Sequence, residues 1–203
     1  MRAYHRLWRP RLVVVAGVRL WVPRGVFIPL GTVSSGLLAG LLRGAAGGRR
    51  ILDLGCGSGV LSIAAALAGG EAVCYDASPR ALEAARLNAG LNGVSGRVYV
   101  TGDPGEAAGL GPYDLVVTNP PYLPLDPGDE LDTLWCAGSG LEALREIGAL
   151  ARRAAPGAPV LAALSSLTPL DEGVRALGLG RWRILASRRA GLDRVYAVLG
   201  FHS

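Results

Sequence analysis

The tetrapeptide Asn119-Pro120-Pro121-Tyr122 has the most specific combination of residue types in this sequence. Two consecutive prolines fix φ and remove two backbone donors, leaving carbonyls free to accept. The Asn119 side-chain oxygen and the Pro120 carbonyl can then take both hydrogens of a planar amino group, with Tyr122 covering its face. Such a cradle displaces water and holds an amide or exocyclic amine in one orientation, which pre-aligns the nitrogen for attack along a fixed line. A second constellation is Ile51-Leu-Asp-Leu-Gly-Cys-Gly-Ser-Gly59. Gly55, Gly57 and Gly59 allow a sharp turn and let a ligand lie against bare backbone, and Asp53 stands two residues before the first of them. Asp76 follows about 20 residues later, where a carboxylate can accept hydrogen bonds from both hydroxyls of a ribose. Asp103 closes Thr101-Gly102-Asp103. Any one of these aspartates alone reads equally well as a helix cap, and a proline-rich turn alone as mere loop.

These residues need elements to position them. Leu12–Ala16 and Val18–Val22 flank Gly17 and read as a hairpin or bent strand. Val33–Leu42 reads as a helix, with Ser34 or Ser35 near its start and Gly44 at its end. Strands are expected at 51–54, 72–75, 97–101, 113–118 and 159–164. Helices are expected at 61–68, 79–91, 141–154 and 169–177, with a loop between 101 and 113. Two final strands, 182–187 and 195–201, surround Ala190-Gly191. Strands alternating with helices imply an α/β fold, a mostly parallel sheet covered on both faces, with one antiparallel strand added by the terminal hairpin. The expected organisation is an N-terminal extension over residues 1–45, hairpin plus helix, packed on a core over 46–203. The three aspartates and the Asn-Pro-Pro-Tyr segment then fall at the carboxyl ends of strands, where open α/β sheets bind ligands.

The chain has 203 residues, half of them apolar, enough for one α/β domain with a full core. Three cysteines without a CxxC pair and two histidines near the termini offer little for a zinc site or disulfide framework, so a reduced, cytoplasmic protein is the expectation. The uncharged run from Gly25 to Leu42 contains Pro29, Thr32, two serines and several glycines, and falls short of about 20 strongly apolar residues, so no membrane span is expected. All the basic residues are arginine, and no acid occurs before Asp53. That arginine-rich N-terminus is suited to contact RNA phosphates, or is a solvated face.

The turn with Asp53 and GxGxG resembles the first motif of class I S-adenosylmethionine-dependent methyltransferases. The resemblance implies a Rossmann-like seven-stranded sheet of order 3-2-1-4-5-7-6. It also implies that Asp53 helps hold the methionine portion of S-adenosyl-L-methionine, Asp76 its ribose and Asp103 its adenine, with Asn119 bordering cofactor and acceptor. Asn-Pro-Pro-Tyr is shared by enzymes that methylate glutamine side chains and adenine N6, with close variants in enzymes acting on guanine in ribosomal RNA. Asn119-Pro-Pro-Tyr-Leu-Pro124 followed by Trp135-Cys-Ala-Gly-Ser-Gly140 resembles the HemK family, in its short archaeal and eukaryotic form. That resemblance implies methylation of the glutamine of the Gly-Gly-Gln motif in a class-1 release factor. It implies a small zinc-binding activator docked at edge strand 97–101, and Leu123, Pro124 and Trp135 crowding the acceptor entrance. The sequence departs from that form at Gly31-Thr32, where an acidic pair is usual. The competing expectations are an amino-group methyltransferase acting on rRNA or tRNA, at adenine N6 or guanine N2, and a silent cofactor-binding subunit that scaffolds a partner. Asp126, Asp129, Glu130 and Asp132 count against RNA, since four acids beside the pocket would repel phosphates.

Overall fold

The computed structural model of the protein describes Leu7 and residues 9–203. Strands β1 (Arg11–Val15) and β2 (Val18–Val22) pair antiparallel through Ala16-Gly17, both of which have positive φ (48° and 76°). That is the backbone a two-residue hairpin needs to match the strand twist. Val13, Val15, Val18, Leu20 and Val22 are buried and alternate with exposed residues, so the hairpin has one inner face. Helix α1 (Val33–Ala45) follows, burying Leu38 and Leu42. Hairpin and helix join the same apolar cluster as Ile51 and Ile63, so the extension covers one face of the central sheet.

That sheet consists of β3 (Arg50–Leu54), β4 (Glu71–Tyr75), β5 (Val98–Thr101), β6 (Leu115–Thr118), β7 (Val160–Ser165), β8 (Leu179–Ala190) and β9 (Asp193–His202). Their order across the sheet is β5-β4-β3-β6-β7-β9-β8, the expected 3-2-1-4-5-7-6. All neighbours run parallel except β9, which is antiparallel to both β7 and β8. The connecting helices are α2 (Val60–Leu67), α3 (Pro79–Leu91), α4 (Pro104–Gly109), α5 (Glu142–Ala154) and α6 (Leu170–Ala176). Strand β3 is buried on both sides. Ile51 enters the cluster beneath α1 and α2, while Leu52 and Leu54 enter the opposite one with Leu144, Leu164 and Leu177. A strand covered on both faces reads as a continuous apolar run, and an aspartate inside it is conspicuous.

One buried side chain ties the extension to the core. Asn88 of α3 accepts from Trp21 N at 2.7 Å and donates to Trp21 O at 3.0 Å and to Ser58 O at 2.9 Å. It therefore pairs with β2 as a strand would, and at the same time holds the glycine turn. Asn88→Ala is expected to destabilise the fold by roughly 2–4 kcal/mol, because it strands three backbone groups at a fully buried position. A chemical-denaturation midpoint within a few tenths of a molar of wild type would refute this account.

The structure corrects several sequence expectations. The loop expected after Thr101 contains α4, whose six residues are too few for a helical period to register. Helix α1 starts at Val33 with Ser34 and Ser35 buried in its first turn, as expected, but runs through Gly44 to Ala45 instead of closing at Gly44. Strand β8 is twice the length expected, because its partner β9 carries it beyond the sheet. Cys56 and Cys74 are joined by a disulfide, against the expectation of a wholly reduced chain. The N–H groups of Gly55 and Cys56 both donate to Tyr75 O, folding the turn over the end of β4 and bringing two cysteines 18 residues apart to a Cα separation of 5.5 Å. Among the described residues, no helix is long and apolar enough to cross a membrane. The described part of the arginine-rich N-terminus supplies Arg19 and Arg43, which bond backbone carbonyls of Leu91 and Ala16. Met1 to Arg6 and Trp8, with Arg2 and Arg6 among them, lie outside the described residues.

Candidate active site

At the carboxyl ends of β3 and β4 a cavity of about 280 Å³ opens, lined by the turn from Gly55 to Ser58, by Asp76, Ala77 and Ser78, and by Asn119. Gly55, Gly57 and Gly59 all have positive φ, so the turn excludes other residues on conformational grounds. A Cβ on Gly55 or Gly57 would meet nothing within 4 Å, so the space before them is open to a ligand. Gly59 has a different reason: a Cβ there would lie 3.2 Å from Ala85 Cβ, and only glycine lets α3 pack against the turn.

Asp76 is anchored by the turn it serves. Gly57 N donates to one carboxylate oxygen at 2.8 Å and Ser78 N to the other at 2.9 Å. Burial pushes its carboxyl above the usual carboxylate range, and those two backbone donors oppose the shift. Each oxygen keeps a lone pair toward the cavity it lines, which suits a pair of vicinal hydroxyls. Asp76→Ala is expected to weaken cofactor binding by about 1.5–3 kcal/mol, the scale of hydrogen bonds to a charged group. Unchanged affinity by calorimetry would remove Asp76 from the site.

Asp53 is fully buried behind the lining. One of its oxygens accepts from Ser62 N at 3.0 Å and Ser62 Oγ at 2.7 Å, while Oδ1 is buried without a partner. Desolvation dominates and raises its pKa to about 7; the Ser62 bonds oppose this, and the charge on Asp76 adds to it. Asp53 thus stands behind the cavity lining, with Ser62 of α2 as its hydrogen-bond partner. Asp103 is not brought into the cavity lining either. Its Oδ1 caps α4, accepting from Gly105 N at 2.7 Å and Glu106 N at 3.0 Å.

The Asn-Pro-Pro-Tyr segment leaves β6 and forms a narrow side slot of about 10 Å³, room for roughly one water. Asn119, Pro120, Pro121 and Tyr122 line it together with Phe27, Leu134 and Trp135. Asn119 and Pro121 also line the larger cavity, so slot and cavity meet there. Asn119 Nδ2 donates to Ser35 Oγ at 3.2 Å, whereas its Oδ1 is buried and without a partner. Burial pushes the Tyr122 phenol up, and the adjacent Ser34 hydroxyl opposes that shift. The Tyr122 carbonyl accepts from Thr168 Oγ1, which fixes the exit of the segment.

Trp135 therefore lies where the sequence suggests, but Leu123 and Pro124 do not wall the slot. Leu123 pairs with the Trp135–Ala137 backbone instead, and Phe27 and Leu134 take the place expected of it. The acids of the following loop are largely occupied by that loop. Asp132 accepts from Gly128 N, Asp129 from Asp132 N and Asp126 from Ser139 N. They tether the chain but keep their negative charge, and the Ser139 bonds hold the exposed Asp126 carboxyl below its usual range, so the charge objection to RNA stands. Phe27, Ser35 and Leu134 escape sequence reasoning. The available signal was a pair of serines inside an otherwise apolar helix.

This sheet, with a glycine turn and acidic strand ends at its carboxyl edge, is the fold of the class I S-adenosylmethionine-dependent methyltransferases. The chain belongs to the methyltransferase small domain family, whose model matches residues 20–131. A release factor glutamine methyltransferase of Deinococcus radiodurans is 37% identical over 166 residues, covering 70% of this chain and 59% of that protein. A ribosomal protein L11 methyltransferase of Thermus thermophilus is 38% identical over 123 residues, covering 54% of this chain and 47% of that one. The chain thus spans about half to three-fifths of these curated relatives. Among solved structures, a 16S rRNA N2 methyltransferase of Thermus thermophilus, in complex with AdoMet and guanosine, shares the fold at a TM-score of 0.64. It is 20% identical, with 97% of this chain and 51% of that one covered.

Proposed function

We propose that this protein is an S-adenosylmethionine-dependent N-methyltransferase of the HemK type, acting on the glutamine of the Gly-Gly-Gln motif of a class-1 release factor. The narrowness of the acceptor slot supports this most. At about 10 Å³ between Phe27, Leu134 and Trp135, the slot would have to widen far less for a slender side-chain amide than for a purine, which needs a broad face for stacking. The identity to release factor glutamine methyltransferases adds to it.

S-adenosylmethionine bound in the larger cavity supplies an electrophilic methyl group on its sulfonium. Gly55 and Gly57 would give it bare backbone, with Gly59 closing the turn against α3, Asp76 would take its ribose hydroxyls, and the charge of Asp53 behind the lining would favour its ammonium. Asp103 is left the adenine amino group only through its second oxygen. At the acceptor, Asn119 Oδ1 and the Pro120 carbonyl take the two amide hydrogens, with Pro121 and Tyr122 holding the plane. An amide nitrogen is a poor nucleophile because its lone pair is delocalised, so orientation and polarisation toward two acceptors carry most of the effect.

We place residues 1–45 as an extension serving the core over 46–203, since its Phe27, Pro29 and Ser35 reach the cavity. Strand β5 pairs only with β4 among the described residues, and its Tyr99 is half-exposed. An edge of that kind invites strand addition, which is where a small zinc-binding activator would dock. Full activity of the monodisperse protein purified alone would exclude that partner.

The second reading, amino-group methylation of adenine or guanine in rRNA or tRNA, is favoured by β8, whose Arg181, Arg183, Arg188 and Arg189 are all exposed. Arg2, Arg6 and Arg9 of the N-terminus would add to such a contact. Labelled methyl transfer offered release factor and total RNA side by side separates the two. Label is expected in the release factor and lost when its Gly-Gly-Gln glutamine becomes alanine. Nuclease-sensitive label with unmodified release factor would establish the RNA reading instead.

A further inference from the structure

Asn119 can serve an amino group only if its carboxamide points the right way. The oxygen must face the slot, since a reversed amide would present N–H groups to the N–H groups of the acceptor. Oxygen and nitrogen ends have nearly the same shape, so packing alone does not choose between them. The hydrogen bonds behind the slot do.

Thr32 Oγ1 lies 2.7 Å from Pro29 O, and a carbonyl only accepts, so the single hydroxyl proton of Thr32 is committed there. Thr32 Oγ1 also lies 3.3 Å from Ser35 Oγ. With its own proton used, Thr32 is the acceptor in that contact and Ser35 the donor. Ser35 has then spent its one proton, and its oxygen can only accept from Asn119. The Nδ2 end of Asn119 meets that requirement at 3.2 Å, leaving Oδ1 as the buried, unpartnered acceptor at the junction of slot and cavity.

We propose that Pro29, Thr32 and Ser35 form a one-way hydrogen-bond relay that holds the Asn119 carboxamide in its productive orientation, with Thr32 and Ser35 as positioning residues. The relay rests on the reading that Asn119 holds an acceptor amino group, and it serves an amide or a nucleobase alike. It also gives Thr32 a function at the point where the sequence departs from the acidic pair of the short HemK form. The Thr32 hydroxyl makes no cap bond to α1, so removing it leaves the helix start intact.

The test compares Thr32→Val, which keeps the shape and removes the hydroxyl, with Thr32→Ser, which keeps the hydroxyl, and with Ser35→Ala. Two readouts are needed: steady-state methyl transfer, and the side-chain amide signals of Asn119 in ¹⁵N-labelled protein, assigned by their loss in Asn119→Ala. T32V is expected to lower kcat about tenfold with cofactor affinity unchanged, as for a weakened preorganised group, and to shift the Asn119 amide signals; S35A is expected to lower kcat and shift those signals likewise. T32S should behave as wild type in both. Wild-type kcat and unshifted Asn119 signals in T32V would overturn the relay. If the wild-type protein methylates neither release factor nor RNA, the acceptor assignment fails, and the amide signals still decide the relay.

Discussion

Asn119→Ala is expected to lower turnover by roughly a hundredfold or more, as does the loss of one preorganised polar group elsewhere, while cofactor affinity changes little. The loss should fall on kcat, because Oδ1 acts on the nitrogen as its lone pair becomes available and not on the bound cofactor. The same substitution should change the stability of the fold little, because alanine removes a buried acceptor without a partner together with the Nδ2–Ser35 bond. A large loss of activity at nearly constant stability separates this role from a structural one. Turnover within a few-fold of wild type would mean that the acceptor is held elsewhere.

Asp53→Asn is expected to raise the stability of the cofactor-free protein at pH 8 by roughly 2–4 kcal/mol and to weaken cofactor binding. The unfolded carboxyl ionises near 3.8, whereas in the folded chain it keeps its proton to about 7. Between those values the native state binds more protons than the unfolded state, so stability falls as pH rises and levels off above 7. Each pKa unit corresponds to 1.36 kcal/mol, and the asparagine amide forgoes part of the gain because its own N–H₂ must be buried. An asparagine oxygen can still accept from Ser62, which keeps the packing. Cofactor binding has the opposite pH dependence. An ammonium beside the turn favours ionised Asp53, so affinity should climb by up to tenfold per pH unit below 7 and then plateau, and this slope should vanish in the variant. Melting curves at pH 5 and pH 8 that respond equally to the substitution would refute the linkage, as would a pH-independent cofactor affinity in the wild type.

What the sequence determined by itself was whatever short-range physics governs. Positive φ at Gly55, Gly57 and Gly59 and the fixed φ of Pro120 and Pro121 are properties of the local chain, so the turn and the acceptor segment could be placed before any fold was known. The alternation of apolar strands with amphipathic helices likewise carries the parallel sheet and the side of it that binds ligand. Tertiary structure decided what each polar atom faces. Ser35 reaches Asn119 across 84 residues because the extension packs over the sheet, and no local pattern records that. Cys56 meets Cys74 through the parallel pairing of β3 with β4, which sequence spacing does not measure. Asp103 has the right place in the chain for a ligand, yet α4 begins beside it and takes one of its oxygens as a cap. Phe27 and Leu134, far apart in sequence, set the width of the acceptor slot. Backbone conformation is encoded by neighbours a few residues away, whereas the walls of a pocket are the sum of packing choices made along the whole chain.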